Sequence, residues 1–168
     1  MCYNIIRFIL FLLLLTLTGC SCGYGLGDVA CDFELTDQHG HQVRLSDYSG
    51  NIIIVDFSLA WCVTCKEAFK KQNNLLNDLG GNDVTWLTIL FQDKHGLEVS
   101  FEDCFVTAEQ YNINQPVLVG DHNMINNAYL VTGWPSYYII NEDMVITEHI
   151  AGWYEDQIAN SVVENRLK

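Results

Sequence analysis

The chain has 168 residues, 49% of them apolar and 12% aromatic, which suits one domain with a real core and excludes a disordered protein. Eight Lys+Arg against 21 Asp+Glu give a formal charge of −13, which repels phosphates and anionic lipid and excludes nucleic acid as a partner of the folded part. Seven cysteines in so short a chain suit a compartment where disulfides persist.

Residues 1–22 read as lying outside the fold. Arg7 is their only charge, Phe8 to Leu17 is an apolar run, and small residues close it before a cysteine. The run is shorter than the about 20 residues of a bilayer span, so a signal peptide fits better than a transmembrane helix. Leu17-Thr18-Gly19-Cys20 resembles the lipobox of bacterial lipoproteins, which implies cleavage before Cys20, acylation of Cys20 and anchoring to the membrane through lipid. The organisation expected is a signal peptide over 1–19, a lipidated glycine-rich tether over 20–27 and one domain over 28–168. Ser21 after the lipid-bearing cysteine points, by the same resemblance, to a periplasm-facing place on the outer membrane of a Gram-negative cell. The alternative is a secreted soluble protein cut near Cys22 or Gly23.

From residue 33 the pattern becomes that of a folded domain. Phe33-Glu34-Leu35-Thr36 and Gln42-Val43-Arg44-Leu45 flank a polar turn with glycine and predict a hairpin, with His39 and His41 as exposed turn residues. Ile52 to Ser58 is a buried strand. An amphipathic helical run opens at Cys65, with Ala68, Phe69, Leu75, Leu76 and Leu79 on its apolar face and Gly80-Gly81 as the stop. Val84 to Phe91 is a second buried strand, so strand, helix and strand predict a parallel, right-handed βαβ unit. Ser100 caps a helix whose apolar face is Phe101, Cys104, Phe105, Ala108 and Tyr111, with Cys104 as a buried structural thiol. Pro116 to Val119 is a short strand, and a polar helical turn runs from Asp121 to Tyr129. Tyr137–Ile140 and Val145–Ile150 should pair as an antiparallel hairpin, and a last helix from Glu155 should bury Ile158, Ala159, Val162, Val163 and Leu167.

Chemistry concentrates at Trp61-Cys62-Val63-Thr64-Cys65, directly after the first buried strand. Cys62 then stands where strand gives way to helix, and unpaired N–H groups with the helix dipole favour its thiolate and lower its pKa. Cys65, one turn on, is more buried and can attack a mixed disulfide formed on Cys62. A zinc site would need further ligands, and no second C-x-x-C or H-x3-H accompanies this one. A purely structural bridge over so small a loop would restrict the unfolded chain little.

This succession, with Gly133-Trp134-Pro135 ahead of the second hairpin, resembles the thioredoxin fold. The implied architecture is α/β: a three-layer sandwich with a central mixed sheet flanked by helices and an added N-terminal β-hairpin. Gly27 to Leu35 and Leu45-Ser46-Asp47-Tyr48-Ser49-Gly50 resemble the TlpA/ResA branch of exported thiol-disulfide oxidoreductases, which shares its opening with the AhpC/TSA-type peroxiredoxins; the likeness covers about residues 27 to 167. It implies catalytic Cys62 and Cys65 beside Trp61, and no cofactor beyond that redox-active pair. Asp56 matches the family's buried carboxylate, whose pKa is raised by desolvation and which takes the proton of Cys65 through a water. Pro135 matches the cis-proline, which turns the backbone of Trp134 outward to pair with substrate as an added strand. Two positions depart from the pattern: Thr64 replaces the usual proline, and Cys31 stands where many members have one. Cys22, Cys31 and Cys104 are an odd number, so at most one further bridge forms and one thiol stays free or modified.

Three functions compete. The first is a membrane-anchored thiol-disulfide oxidoreductase acting on protein thiols and disulfides of the envelope and recharged by another redox protein. A peroxiredoxin-type thiol peroxidase would want Thr or Ser where Leu59 stands, three residues before Cys62. A Cu(I)-binding chaperone would use the two thiols as soft ligands without turnover.

Overall fold

In the computed structural model, residues 22–123 and 128–167 are described; Cys20, the expected signal peptide and part of the expected helical turn at 121–129 lie outside them. In chain order the elements are β1 (Glu34–Thr36), β2 (Gln42–Arg44), β3 (Ile52–Ser58), α1 (Val63–Leu79), β4 (Val84–Leu90), α2 (Phe101–Tyr111), β5 (Val117–Val119), β6 (Ser136–Ile140), β7 (Ile146–Ala151) and α3 (Glu155–Arg166). A five-stranded mixed sheet runs β5-β4-β3-β6-β7, and β1 and β2 form a separate antiparallel pair. Every residue of β3 is buried, because it is the middle strand and both its faces are covered.

Alternation along β3 divides the core into two layers. Ile52 and Ile54 join Trp86, Tyr137 and Ile139 under α1 and α3, which contribute Ala68, Leu75, Ile158 and Val162. Ile53, Val55 and Phe57 face the opposite way, with Leu87, Ile89 and Tyr138, and this layer takes in the first hairpin and Cys104 and Ala108 of α2. As every second residue of a β-strand shares a face, Asp56 follows Ile52 and Ile54 into the layer beneath α1. The parallel β3–β4 pair and the antiparallel β6–β7 hairpin are as the sequence predicts, the latter with a bulge at Ile139/Ile140.

Three expectations need correcting. Phe101 and Phe105 are 43% exposed, and the buried stripe of α2 is Cys104, Thr107 and Ala108. The helix lies over the short edge strand β5, so only a narrow stripe meets the sheet; Phe105 instead sets its ring edge-on to His39 of the hairpin turn, centroids 6.3 Å apart. In α3, Val163 and Leu167 are exposed while Ser161 is buried beside Ile158 and Val162. The end of that helix is held by Arg166, which donates to Asp83 and to the Leu79 carbonyl at the close of α1.

The third correction concerns the tether. Residues 22–27 fold back on the domain: Cys22 is bridged to Cys31, and Gly23 N–H donates to Val29 O at 2.9 Å. Gly27 N–H donates to Ile146 O, and Ile146 N–H to Asp28 O, so the segment extends one edge of the sheet at β7. The covalent link and these backbone bonds override the flexibility that glycine content suggests. At the opposite edge, Asp37 bridges to Leu118 and Gln38 Oε1 accepts from Val117 N–H at 2.8 Å, so the hairpin covers β5. Both edges are thereby denied to a foreign strand.

Of the three spare cysteines, Cys104 is the free one; its thiol is buried and pushed up to about 12 by desolvation. The Cys22–Cys31 bridge spans a sequence separation of 9, and closing a loop of that size removes about 2–3 kcal/mol of chain entropy from the unfolded state. The double variant Cys22→Ser/Cys31→Ser should therefore unfold in urea with a free energy lower by about that amount while keeping its far-UV circular dichroism. An unchanged midpoint would mean that the backbone bonds alone hold the segment.

Candidate active site

Parallel pairing brings the C-terminal ends of β3 and β4 side by side, and the site is built where the chain leaves them. Phe91 N–H donates to Ser58 O at 3.2 Å and Ala60 N–H to Gln92 O at 3.0 Å, tying the two exits together. Trp61, 46% exposed, lies on the loop that follows β4, with Nε1 donating to Gln92 Oε1 at 2.8 Å. Asp93 Oδ1 folds that loop by accepting from His95 and Leu97 N–H, each at 2.8 Å. Gly96 turns the loop at φ +80°, a backbone conformation that favours glycine.

Helix α1 begins at Val63, two residues earlier than the sequence pattern suggests, which makes Cys62 its N-cap. Cys65 N–H donates to Cys62 Sγ at 3.2 Å, so a sulfur takes the place that Ser or Asp usually fills at a helix start. No acidic residue stands in the first turn to oppose the positive end of the helix. The pair is joined as a disulfide, with Cα atoms 5.2 Å apart. Cys62 keeps 7% of its surface and Cys65 none, so Cys62 offers the sulfur that another molecule can meet.

The third wall comes from the segment before β6. Trp134 O lies 4.0 Å from Cys62 Sγ, the Trp134–Pro135 peptide is cis, and Pro135 O accepts from Gly152 N–H at 2.8 Å. The Trp134 ring rests half-buried on Phe91, centroids 5.4 Å apart. The structure therefore brings Trp61, Cys62, Cys65, Trp134 and Pro135 together at one end of the sheet. Sequence reasoning missed Gln92; its signal was the parallel βαβ unit, which sets the residue after β4 next to the residues after β3.

Asp56 lies below them in β3, fully buried, beside Thr88 and Tyr137 in the sheet register. Desolvation raises its carboxyl to about 7 against the opposing pull of the Ser58 hydroxyl, which donates to Oδ1 at 2.6 Å, and of the Trp86 indole N–H. No hydrogen bond of normal geometry joins Trp86 Nε1 to the carboxylate, and both Nε1 and Oδ2 lack a partner among the described residues. Gln72 of α1 meets the same layer, accepting from Thr88 Oγ1 at 3.5 Å. Tyr137, buried with an unpartnered hydroxyl, is pushed well above the usual phenol range by desolvation and by the Asp56 charge. A carboxyl with one unpaired oxygen in this setting can hold or release a proton near neutral pH.

Comparison with known proteins agrees with this geometry. The profile of the AhpC/TSA family matches residues 26–149. The thiol-disulfide oxidoreductase ResA of Geobacillus kaustophilus is 28% identical over 127 residues, covering 76% of this chain and 70% of the relative. The thioredoxin-like protein YneN of Bacillus subtilis is 26% identical over 122 residues, covering 73% and 69%. Among solved structures, a thiol:disulfide interchange protein DsbE from Chlorobium tepidum superposes with a TM-score of 0.73 at 20% identity, covering 85% of this chain and 99% of its own, which shows the shared thioredoxin-like fold. The pneumococcal exposed lipoprotein thioredoxin Etrx1 of Streptococcus pneumoniae superposes with a TM-score of 0.67 at 26% identity, covering 80% and 99%.

The raised carboxyl of Asp56 has a consequence for stability. Its folded value, about 7, exceeds the unfolded 3.8, so between these values the folded chain keeps a proton that the unfolded chain loses. Stability should fall as pH rises from about 4 to about 7 and then level off. In Asp56→Asn this slope is gone, and urea unfolding should favour the variant over wild type by on the order of 4 kcal/mol more at pH 8 than at pH 4. Equal differences at the two pH values would show a carboxylate that ionises as freely as in water.

Proposed function

Since the chain belongs to the AhpC/TSA family, we propose that it is an exported, lipid-anchored thiol-disulfide oxidoreductase that reduces or exchanges disulfides of envelope proteins through Cys62 and Cys65. The observation that carries this reading is the Cys62 sulfur at the N-cap of α1, taking the Cys65 N–H, with the Trp134 carbonyl beside it. A helix start without acidic residues stabilises the thiolate that must form there.

In the reducing direction, the Cys62 thiolate attacks one sulfur of a substrate disulfide. A bond forms between Cys62 Sγ and that sulfur, and the other substrate sulfur leaves as a thiolate that takes a proton from water. Asp56, ionised, accepts the proton of Cys65 through a water, and the Cys65 thiolate then attacks Cys62 Sγ. The intramolecular disulfide closes and the second substrate sulfur departs as a thiolate that takes the proton held by Asp56, so two electrons and two protons have passed to the substrate. A dithiol protein upstream restores the reduced pair. Substrate is held by the backbone of Trp134 as an added strand, beside Pro135.

The lipid anchor at Cys20 rests on the lipobox-like tetrapeptide and on the likeness to the exposed lipoprotein thioredoxin. With Cys22 bridged to Cys31, an anchor two residues earlier would hold the domain close to the bilayer at the β7 edge. Peroxidase chemistry gains no support at Leu59, which is 3% exposed and offers no hydroxyl for a peroxide.

Trapping in cells tests the reading. Cys65→Ala, which can form but not resolve the intermediate, should collect envelope proteins in bands that dithiothreitol dissolves, and Cys62→Ala/Cys65→Ala should collect none. An abundant, folded Cys65→Ala protein that traps nothing would overturn the assignment. Cys20→Ala should move the protein from the membrane pellet to the soluble fraction; if it stays in the pellet, the anchor lies elsewhere.

A further inference from the structure

In a chain with 8 basic residues against 21 acidic ones, the positions of the unpaired cations are informative. Among the described residues Arg44, Lys70, Lys71 and Arg166 each sit in an ion pair, with Glu34, Glu67, Glu155 and Asp83. The two that remain, Lys66 and Lys94, are apart in sequence yet line one cavity of about 210 Å³ together. Its floor is Ala60, two residues before Cys62, and its far wall is α2, through Val106 and Gln110. The one carboxylate on the wall, Asp103, is engaged at the start of α2, where Oδ2 accepts from Ser100 N–H at 3.0 Å and Ser100 Oγ–H at 2.7 Å.

The cavity is coupled to the thiol site on two sides. Lys66 stands one helical turn after Cys62, and Lys94 belongs to the loop on which Trp61 rests. Val106, 52% exposed, and Ala60 give the lining an apolar part. Lys66 follows Cys62 by four residues, about 6 Å along the helix axis, and an extended substrate strand advances about 3.3 Å per residue, so a side chain two or three positions from the substrate cysteine spans that rise.

We propose that this groove seats an acidic segment of the substrate protein next to its reactive cysteine, with Lys66 and Lys94 receiving its carboxylates. The proposal rests on the oxidoreductase reading and names the substrate class for that same site. Over most of this protein's surface an acidic partner is repelled, so a groove with two ammonium groups against the one carboxylate of Asp103, two residues from Cys62 at Ala60, selects where along a substrate the enzyme acts.

The test uses the reduced protein and synthetic peptides whose single cysteine carries a thionitrobenzoate leaving group, with Glu, Gln or Lys at positions within four residues of the cysteine on both sides. The Glu peptide should react with a kcat/KM roughly fivefold above that of the Gln peptide in dilute buffer, and the preference should vanish at about 0.5 M salt. Lys66→Gln/Lys94→Gln should erase the preference, Lys66→Glu/Lys94→Glu should turn it toward the Lys peptide, and Lys71→Gln, which on α1 faces Glu155 of α3 and not the groove, should keep it. Because each preference is a ratio measured within one protein, partial loss of folded material leaves it readable. Equal rates for the Glu and Gln peptides in wild type, or a preference surviving in Lys66→Gln/Lys94→Gln, would overturn the groove alone. Release of thionitrobenzoate from no peptide would overturn the oxidoreductase reading together with it.

Discussion

A single hydrogen bond, from the Cys65 amide to the Cys62 sulfur, is the contact around which the site is assembled. It exists because a fully buried strand ends at Ser58 and a helix must start within a few residues, leaving amides with no carbonyl partner. A cysteine at the N-cap answers that need as an acceptor and is stabilised as an anion by the same amides. On the proposed function, the requirement that shapes the backbone and the requirement of the chemistry coincide in one atom. The parallel β3–β4 pair then fixes the second wall, since any residue following β4 emerges beside those following β3.

Below that junction the protein tolerates a costly arrangement. Asp56, Trp86, Tyr137 and Gln72 each present at least one buried polar atom without a partner in the layer beneath α1. Apolar residues there would pack more stably, so the cluster weighs against folding, and on the function proposed above its return is the proton that Asp56 can carry near neutral pH. The cluster is bearable because its surroundings are large and close-packed: Trp86 and Tyr137 lie edge to face at 5.8 Å, and Trp153 covers both rings.

The periphery follows another logic. The Cys22–Cys31 loop and the first hairpin close the two open edges of the sheet. Charge is arranged to match. Four of the six described cations are neutralised in surface pairs of small energetic worth, while the other two stand beside the thiols.

The sequence alone made the alternation of strands and helices legible, along with the mixed α/β class, the strand-to-helix position of Cys62 and the burial of Asp56, because each depends on the period of apolar residues over a dozen positions or fewer. The same reading overextended the apolar faces of α2 and α3, since periodicity shows which side of a helix is apolar and not how much sheet lies beneath it. It also took residues 22–27 for a free tether, because glycine content describes the flexibility of an isolated segment and the bonds to Cys31, Val29 and Ile146 come from elsewhere in the chain. Only the tertiary structure decided that Cys22 pairs with Cys31 and leaves Cys104 enclosed, that Gln92 holds Trp61, and that Lys66 and Lys94 meet across one groove. Each of these joins residues brought near one another by the packing of the sheet and its helices, and no local pattern encodes which distant partner the folded chain will deliver.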